Sequence, residues 1–442
     1  MNSTDKKKLR KKFINYLIPS LCAMWVFSLY TIVDGIFVGK YVGANPLAAI
    51  NISMPFINSI FAISILFSIG ASTIIAIYLG ENKKNNANSI FTLGIVILIF
   101  FSIIIFLIVY FNTRKLAIFL GGNNSTIEYI IKYLKTIVFF NVFFMIGYYL
   151  EVLCKTDNSP YLSLIGVGIA AFTNIFLDYL FVAKLKMGIT GAALATGISQ
   201  LLSSFIFLNH FLSKRSTLKF RKFKIDFKEI KRVVLIGFPD SITEFATGLI
   251  ILLFNKYILC LIGENGVVAY SIITYINSFI IMTMVGITQG MQPLISFYHG
   301  KKYFKSIEYI LKLSIISISI MAILTFGISI IFTTNLVSLF LDKEASTYLI
   351  NLSTKALKIY SICFLLIGFN ILISGFFVAI EKPFYATLIS LSRAFIIIIT
   401  LIILTKLLGA TGIWITPTIS ESTSLIISLI SLKILKNTNQ KI

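Results

Sequence analysis

"MGITGAALATGISQ" (187–200) returns as "LGATGIWITPTISE" (408–421), a Gly-x-Thr-Gly opening followed by an apolar run, at a spacing of 221 residues. Working outward, three further anchors repeat at 220: Pro19 in "LIPS" with Pro239 in "GFPD", Gly70 in "SIGAST" with Gly290 in "TQGMQP", and Gly80 in "YLGENKK" with Gly300 in "YHGKKYF". Both spacings are about half of the 442 residues. Self-similarity at that range marks a duplicated architecture.

A hydrophobic share of 57% with only 13% charge excludes an ordinary soluble globule, where about 45–50% and 25% are usual. Twelve apolar stretches are long enough to cross a bilayer, at 13–38, 47–79, 88–111, 127–150, 160–183 and 189–212, then 233–259, 267–298, 307–332, 351–380, 384–408 and 411–435. Only helices fit, because backbone groups in lipid must pair within their own segment and these runs exceed the length of barrel strands. The expected fold is therefore all-α and polytopic, with an N-lobe at 1–213, a basic cytoplasmic linker at 214–232 and a C-lobe at 233–442. Six spans per half return the chain to the same side, so the repeats are parallel about an axis along the membrane normal. Duplication of this kind is typical of transporters.

The net charge of +22 would suggest nucleic acid in a soluble protein. Here most of the 39 Lys and Arg fall on one side of the spans, which places both termini in the cytoplasm. The run from Lys214 to Arg232 holds nine basic residues; it reads as a topology signal and solvated linker, or as a surface for anionic headgroups. Lys256 is expected to snorkel. The four cysteines and two histidines (His210, His299) are scattered, so no metal or redox spacing arises. Met1–Lys12 precedes a run too long for a signal-peptide core and reads as the start of an uncleaved first span. Pro19 and Pro293 stand within spans as kinks or hinges.

Ionisable groups inside the membrane are costly and point to function. Asp34 in "SLYTIVDGIFVGKYVG" and Asp178 in "TNIFLDYLF" lie roughly 6–10 Å below the far boundary at 1.5 Å per residue, and Thr196 lies at a similar depth. Asn174 shares a helix face with Asp178, four residues away. Oxygen groups from three helices at one depth suit a proton or a hard cation such as Na⁺. Aspartates in the spans are expected in the first half alone: Phe254 or Asn255 stands opposite Asp34, and "IIIITLI" opposite Asn174–Asp178. The second half instead places Glu244, Arg393 and Glu421 near mid-membrane. These are expected to pair, with Arg393 on Glu421 favoured, or else to form a second ion locus.

Together "IPSLCAMWVFSLYTIVDGIFVGKYVGANPLAAI", "NIFLDYLFVAKLKMGITGAALATGISQ" and "GITQGMQPLISFYHG" resemble the multidrug and toxic compound extrusion family, closest to its DinF-like branch. The resemblance implies V-shaped lobes around a central cleft and a multi-pass protein of the bacterial plasma membrane. It implies export of cationic, amphipathic organic compounds in exchange for H⁺ or Na⁺ by alternating access. The family's N-lobe coupling residues fall on Asp34, Asn174, Asp178 and Thr196. A family glutamate on helix seven matches Glu244, but span ten lacks the acid that would complete a C-lobe Na⁺ site. Membrane lipids and a small organic substrate are the expected partners of a monomer that takes neither a cofactor nor nucleic acid. A lipid-linked oligosaccharide flippase is the alternative, disfavoured because the first lobe shows no mid-membrane Lys or Arg to hold a pyrophosphate. No nucleophile, metal cluster or catalytic His supports an enzyme, and two chemically unequal lobes suit alternating access better than a pore.

Overall fold

The structure, a computed structural model, describes residues 2–223, 225–341 and 346–437; Lys224 of the linker and the last residues of the C-lobe, 438–442, lie outside it. Among the described residues all regular elements are helical. The first half comprises α1 (Ser3–Tyr41), α2 (Ala44–Gly80), α3 (Lys84–Phe119), α4 (Ile127–Phe139), α5 (Asn141–Thr156), α6 (Pro160–Asp178) with a π-helical extension (Tyr179–Lys184), and α7 (Gly188–Leu212). The second comprises α8 (Phe227–Leu261), α9 (Glu264–Gly300), α10 (Phe304–Ile331), α11 (Thr333–Ser338), α12 (Thr347–Tyr360), α13 (Phe364–Ala379), α14 (Pro383–Leu408) and α15 (Ala410–Asn437).

Among the described residues eleven helices are long and apolar enough to cross a membrane, or twelve when the bent pair α4–α5 counts as one span. The span expected at 127–150 is bent: α4 and α5 meet at 53°. At the break Phe140 sits at φ −94°, ψ 0°, and its ring fills the space beside Gly197, where a Cβ would come within 2.2 Å of Phe140 Cδ2. Asn141 then donates to the Ser102 carbonyl at 3.1 Å, tying the broken segment to α3. The N-terminal tail is also no free arm. Its Lys- and Arg-rich sequence continues α1 back to Ser3, as expected of good helix formers.

The duplicated sequence anchors mark duplicated backbone geometry. Gly188 and Gly409, from the two matching stretches, both adopt positive φ (62° and 57°), a conformation that glycine adopts without steric cost. Each turns the chain into the last helix of its half.

Glycines also set how closely the halves approach. A Cβ on Gly237 of α8 would lie 1.8 Å from the Leu66 carbonyl oxygen of α2, and one on Gly70 of α2 would lie 2.1 Å from that of Val233. Nearer the face that carries the termini the approach is reciprocal: a Cβ on Gly80 would lie 2.2 Å from the Phe297 oxygen, and one on Gly300 would lie 2.2 Å from the Ile77 oxygen. Ile77 and Phe297 are themselves 220 apart, so this seam follows the pseudo-two-fold. Gly286 and Gly290 do the same for α9 against Leu21 and Leu17 of α1. Side chains reinforce the seam. Trp25 Nε1 donates to Thr283 Oγ1 at 2.9 Å, the Tyr78 hydroxyl donates to Glu229 Oε1 at 2.7 Å, and Lys12 Nζ lies 5.1 Å from the centre of the Phe297 ring.

Gly237→Val should therefore force the backbones of α2 and α8 apart, at about 1–3 kcal/mol for an overpacked contact. Gly168→Val, at a helical glycine with nothing within 4 Å of a Cβ, is the control. Thermal unfolding of both variants in detergent checks this: the first midpoint should fall by several degrees and the second should stay close to the parent.

Candidate functional site

The far half of the N-lobe gathers Asp34, Asn174, Asp178 and Thr196 at one place. Asn174 and Asp178 stand one turn apart on α6 and are fully buried. Asn174 Nδ2 reaches Thr196 Oγ1 of α7 at 3.4 Å, and Thr196 Oγ1 donates back to the Ala192 carbonyl at 3.1 Å. The Asp34 carboxyl of α1 lies beside that of Asp178. Immediately after Asp178 the helix widens into its π-helical turn (Tyr179–Lys184), a distortion frequent at functional sites.

Four oxygens here, Asp34 Oδ1, Asn174 Oδ1 and both of Asp178, are buried with no donor among the described residues. Two ionised carboxylates in such a setting repel one another, so the pair is favourable only with a proton or a cation between them. The chemistry is that of an acceptor-only cage. It fits a proton, and it fits Na⁺, which takes oxygen ligands. Among the described residues no three His, Cys, Asp or Glu side chains group as a transition-metal site. Two tyrosines border the cage, Tyr30 of α1 and Tyr133 of α4; both lie within electrostatic range of Asp34. Sequence reasoning missed them because an aromatic ring in a span is ordinarily a packing residue.

The C half is built differently at the equivalent place. Phe254 is buried and stacks on Tyr270 at 5.4 Å, and Tyr270 meets Trp414 at 6.4 Å. Rings fill the space where the N-lobe has its acids. Deeper in this half, Arg393 grips Glu421, with Nη2 2.7 Å from Oε1 and Nε 3.2 Å from each carboxylate oxygen. Asn370 of α13 donates to Glu421 Oε2 at 2.7 Å, and Ser428 donates to Asn370 Oδ1 at 2.9 Å. Glu244 is not part of this cluster. Of the two pairings weighed for Arg393 the structure forms the favoured one, with Glu421; Glu244 makes no ion pair among the described residues and lies near Tyr148, as does Asp240.

Asp240 corrects the expectation that aspartates stand in the spans of the first half alone. It lies one residue after Pro239 on α8, and its Oδ2 is buried with no partner among the described residues. Lys155 of α5 is buried, paired with Glu151 at 2.8 Å on its own helix, and donates across the seam to Gln289 Oε1 at 2.6 Å. Ser163 donates to Glu151 as well. The Glu–x3–Lys spacing in "YYLEVLCKT" is the available signal. Its inter-lobe partner is not readable from spacing.

Comparison with known proteins matches this fold. The MatE family model fits residues 19–180 and again 239–404, so its two copies begin at Pro19 and Pro239. The multidrug export protein MepA of Staphylococcus saprophyticus is 25% identical over 415 residues, covering 92% of this chain and 90% of its own. A solved structure of the MATE multidrug transporter DinF-BH, in complex with a ligand, is 27% identical, with a TM-score of 0.88 and coverage of 96% and 95%. An outward-facing multidrug resistance MATE transporter superimposes with a TM-score of 0.91 at 20% identity, covering 97% of each chain.

The buried pair of the C half offers a direct test. Arg393→Leu strands Glu421 in an apolar surround and should cost about 3–5 kcal/mol. Adding Glu421→Leu should restore much of that loss. Chemical or thermal unfolding of the parent, the single and the double variant checks it; a double variant no better than the single would show that the pair is not what holds this region.

Proposed function

Because this chain belongs to the MatE family of multi-pass membrane transporters, we propose that it is a secondary active efflux transporter. It exports cationic, amphipathic organic compounds in exchange for H⁺ or Na⁺, in a plasma membrane with both termini cytoplasmic. The observation that carries this reading is the acceptor-only cage of Asp34, Asn174, Asp178 and Thr196. A carboxylate pair that needs a positive partner, set toward the side opposite the termini, can load a proton or Na⁺ from outside. Closure of the lobes along the glycine seam on the termini face keeps that ion from the cytoplasm until the lobes rearrange. The basic termini face supports the orientation through the positive-inside rule.

Glu244 supplies a second anchor in the same account. It makes no ion pair among the described residues and lies near Tyr148 of the opposite half, where a carboxylate and an aromatic ring can receive the positive end of an organic cation. Asp240 stands one turn away on the same helix. The flippase alternative needs free cations for a pyrophosphate. Lys155, the buried lysine of this region, is instead held between Glu151 and Gln289.

Asp34→Asn should insert and fold as the parent does but lose gradient-driven efflux of a cationic rhodamine dye. Dye retention by cells at matched expression checks it, and parental efflux by the variant would sink the assignment. Glu244→Gln should raise the dye concentration for half-maximal efflux several-fold while efflux still requires the ion gradient. Transport measured over a range of dye concentrations separates the two effects.

A further inference from the structure

The linker between the halves is laid down as a fixed strap on the termini face. α3 begins at Lys84, within the polar stretch "KKNNANS" (83–89), whose charge and amides place its first turns at headgroup level. The strap crosses those turns through its backbone: Lys219 N donates to Asn88 Oδ1 at 2.9 Å and Arg221 N to Thr92 Oγ1 at 3.1 Å. Upstream, Asp157 accepts from Thr217 N at 2.8 Å and from His210 Nε2 at 2.8 Å. The Phe220 ring packs 5.1 Å from that of Phe91. With its backbone held, the strap presents the side chains of Arg221 and Lys222 to solvent.

An open groove of about 570 Å³ lies here, lined by Thr92, Phe220, Arg221, Lys222 and Phe223. Two cations, a hydroxyl and two rings line it, and no acid does. Arg221 also donates to Asn85 through Nη1, which leaves further guanidinium N–H groups for a second acceptor. Just beyond, Ile225 and Phe227 are 67% and 79% exposed next to Lys228. Apolar and basic side chains facing outward together at this level match the membrane interface better than water.

We propose that this groove binds the phosphate headgroup of an anionic phospholipid, with a lipid chain against Phe220 and Phe223. Arg221 and Lys222 neutralise the phosphodiester and Thr92 offers it a hydroxyl. The ligand chemistry is a phosphate joined to an apolar chain, which sets it apart from free phosphate. The inference requires only that the chain spans a membrane, so it can fail without touching the efflux reading.

The test is native mass spectrometry of the purified full chain with phosphatidylglycerol or phosphatidylcholine. The parent should retain phosphatidylglycerol preferentially. Arg221→Ala/Lys222→Ala should reduce that retention roughly tenfold or more, as expected for losing two cations near an anionic lipid. Arg221→Lys should keep most of it, and Lys301→Ala/Lys305→Ala elsewhere on the same face should leave it unchanged. Because Arg221 and Lys222 are exposed, an unchanged thermal midpoint should accompany the loss. Equal retention by parent and double variant, or no preference between the two lipids, would overturn the proposal. Displacement of the lipid by millimolar inorganic phosphate would reassign the groove to free phosphate and equally overturn it.

Discussion

Two carboxyl groups held side by side inside an apolar helix bundle cannot both be bare anions. Asp34 and Asp178 are so held, and the buried oxygen of Asn174 beside them adds an acceptor rather than a donor. Everything around them maintains that condition. Asn174 and Asp178 share one face of α6, Thr196 closes the side toward α7, and no Lys or Arg among the described residues pairs with either acid. A lobe built this way favours a proton or a cation shared between the two acids. That preference makes folding and ion binding parts of one free energy.

The duplicated plan explains where the asymmetry can arise. The glycine seam must be kept in both halves, since Gly80 meets the Phe297 carbonyl and Gly300 meets that of Ile77. Away from the seam the halves are free to diverge. The C half fills the place of the cage with Phe254, Tyr270 and Trp414, and closes Arg393, Asn370 and Ser428 around Glu421. The N half leaves the oxygens of Asp34, Asn174 and Asp178 without a donor, while the C half satisfies Glu421 and leaves Asp240 Oδ2 without one among the described residues. The lobes meet through close backbone approach at these glycines, reinforced by the Trp25–Thr283, Tyr78–Glu229 and Lys155–Gln289 hydrogen bonds.

Much of this is legible in the sequence, and for physical reasons. Repeat spacing, apolar run lengths and the side carrying Lys and Arg each report a strong, local constraint. Depth along a helix puts Asp34, Asp178 and Thr196 at one level, and the four-residue spacing puts Asn174 on the face of Asp178. What depth does not give is direction around the helix axis. Glu244 and Arg393 are expected at one level, yet the ion pair that forms is Arg393 with Glu421. The bend at Phe140 is not legible either, because it depends on the space beside Gly197, a contact far along the chain. Lys155 can be paired with Glu151 by spacing, but only the seam reveals Gln289 as its second partner. Asp240 sits beside Pro239 inside α8, and nothing local shows that its carboxyl is buried.

The central claim, that ion binding at the Asp34–Asp178 pair is coupled to binding of a cationic substrate, is tested most directly by equilibrium binding. Affinity of the purified protein for a cationic rhodamine dye would be measured across pH and across Na⁺ concentration, in the parent and in Asp34→Asn. Because coupling between two ligands is reciprocal, raising the coupling ion should weaken dye binding in the parent, and that dependence should vanish in the variant. Dye affinity indifferent to both ions in the parent, or an ion dependence that survives in Asp34→Asn, would contradict the account.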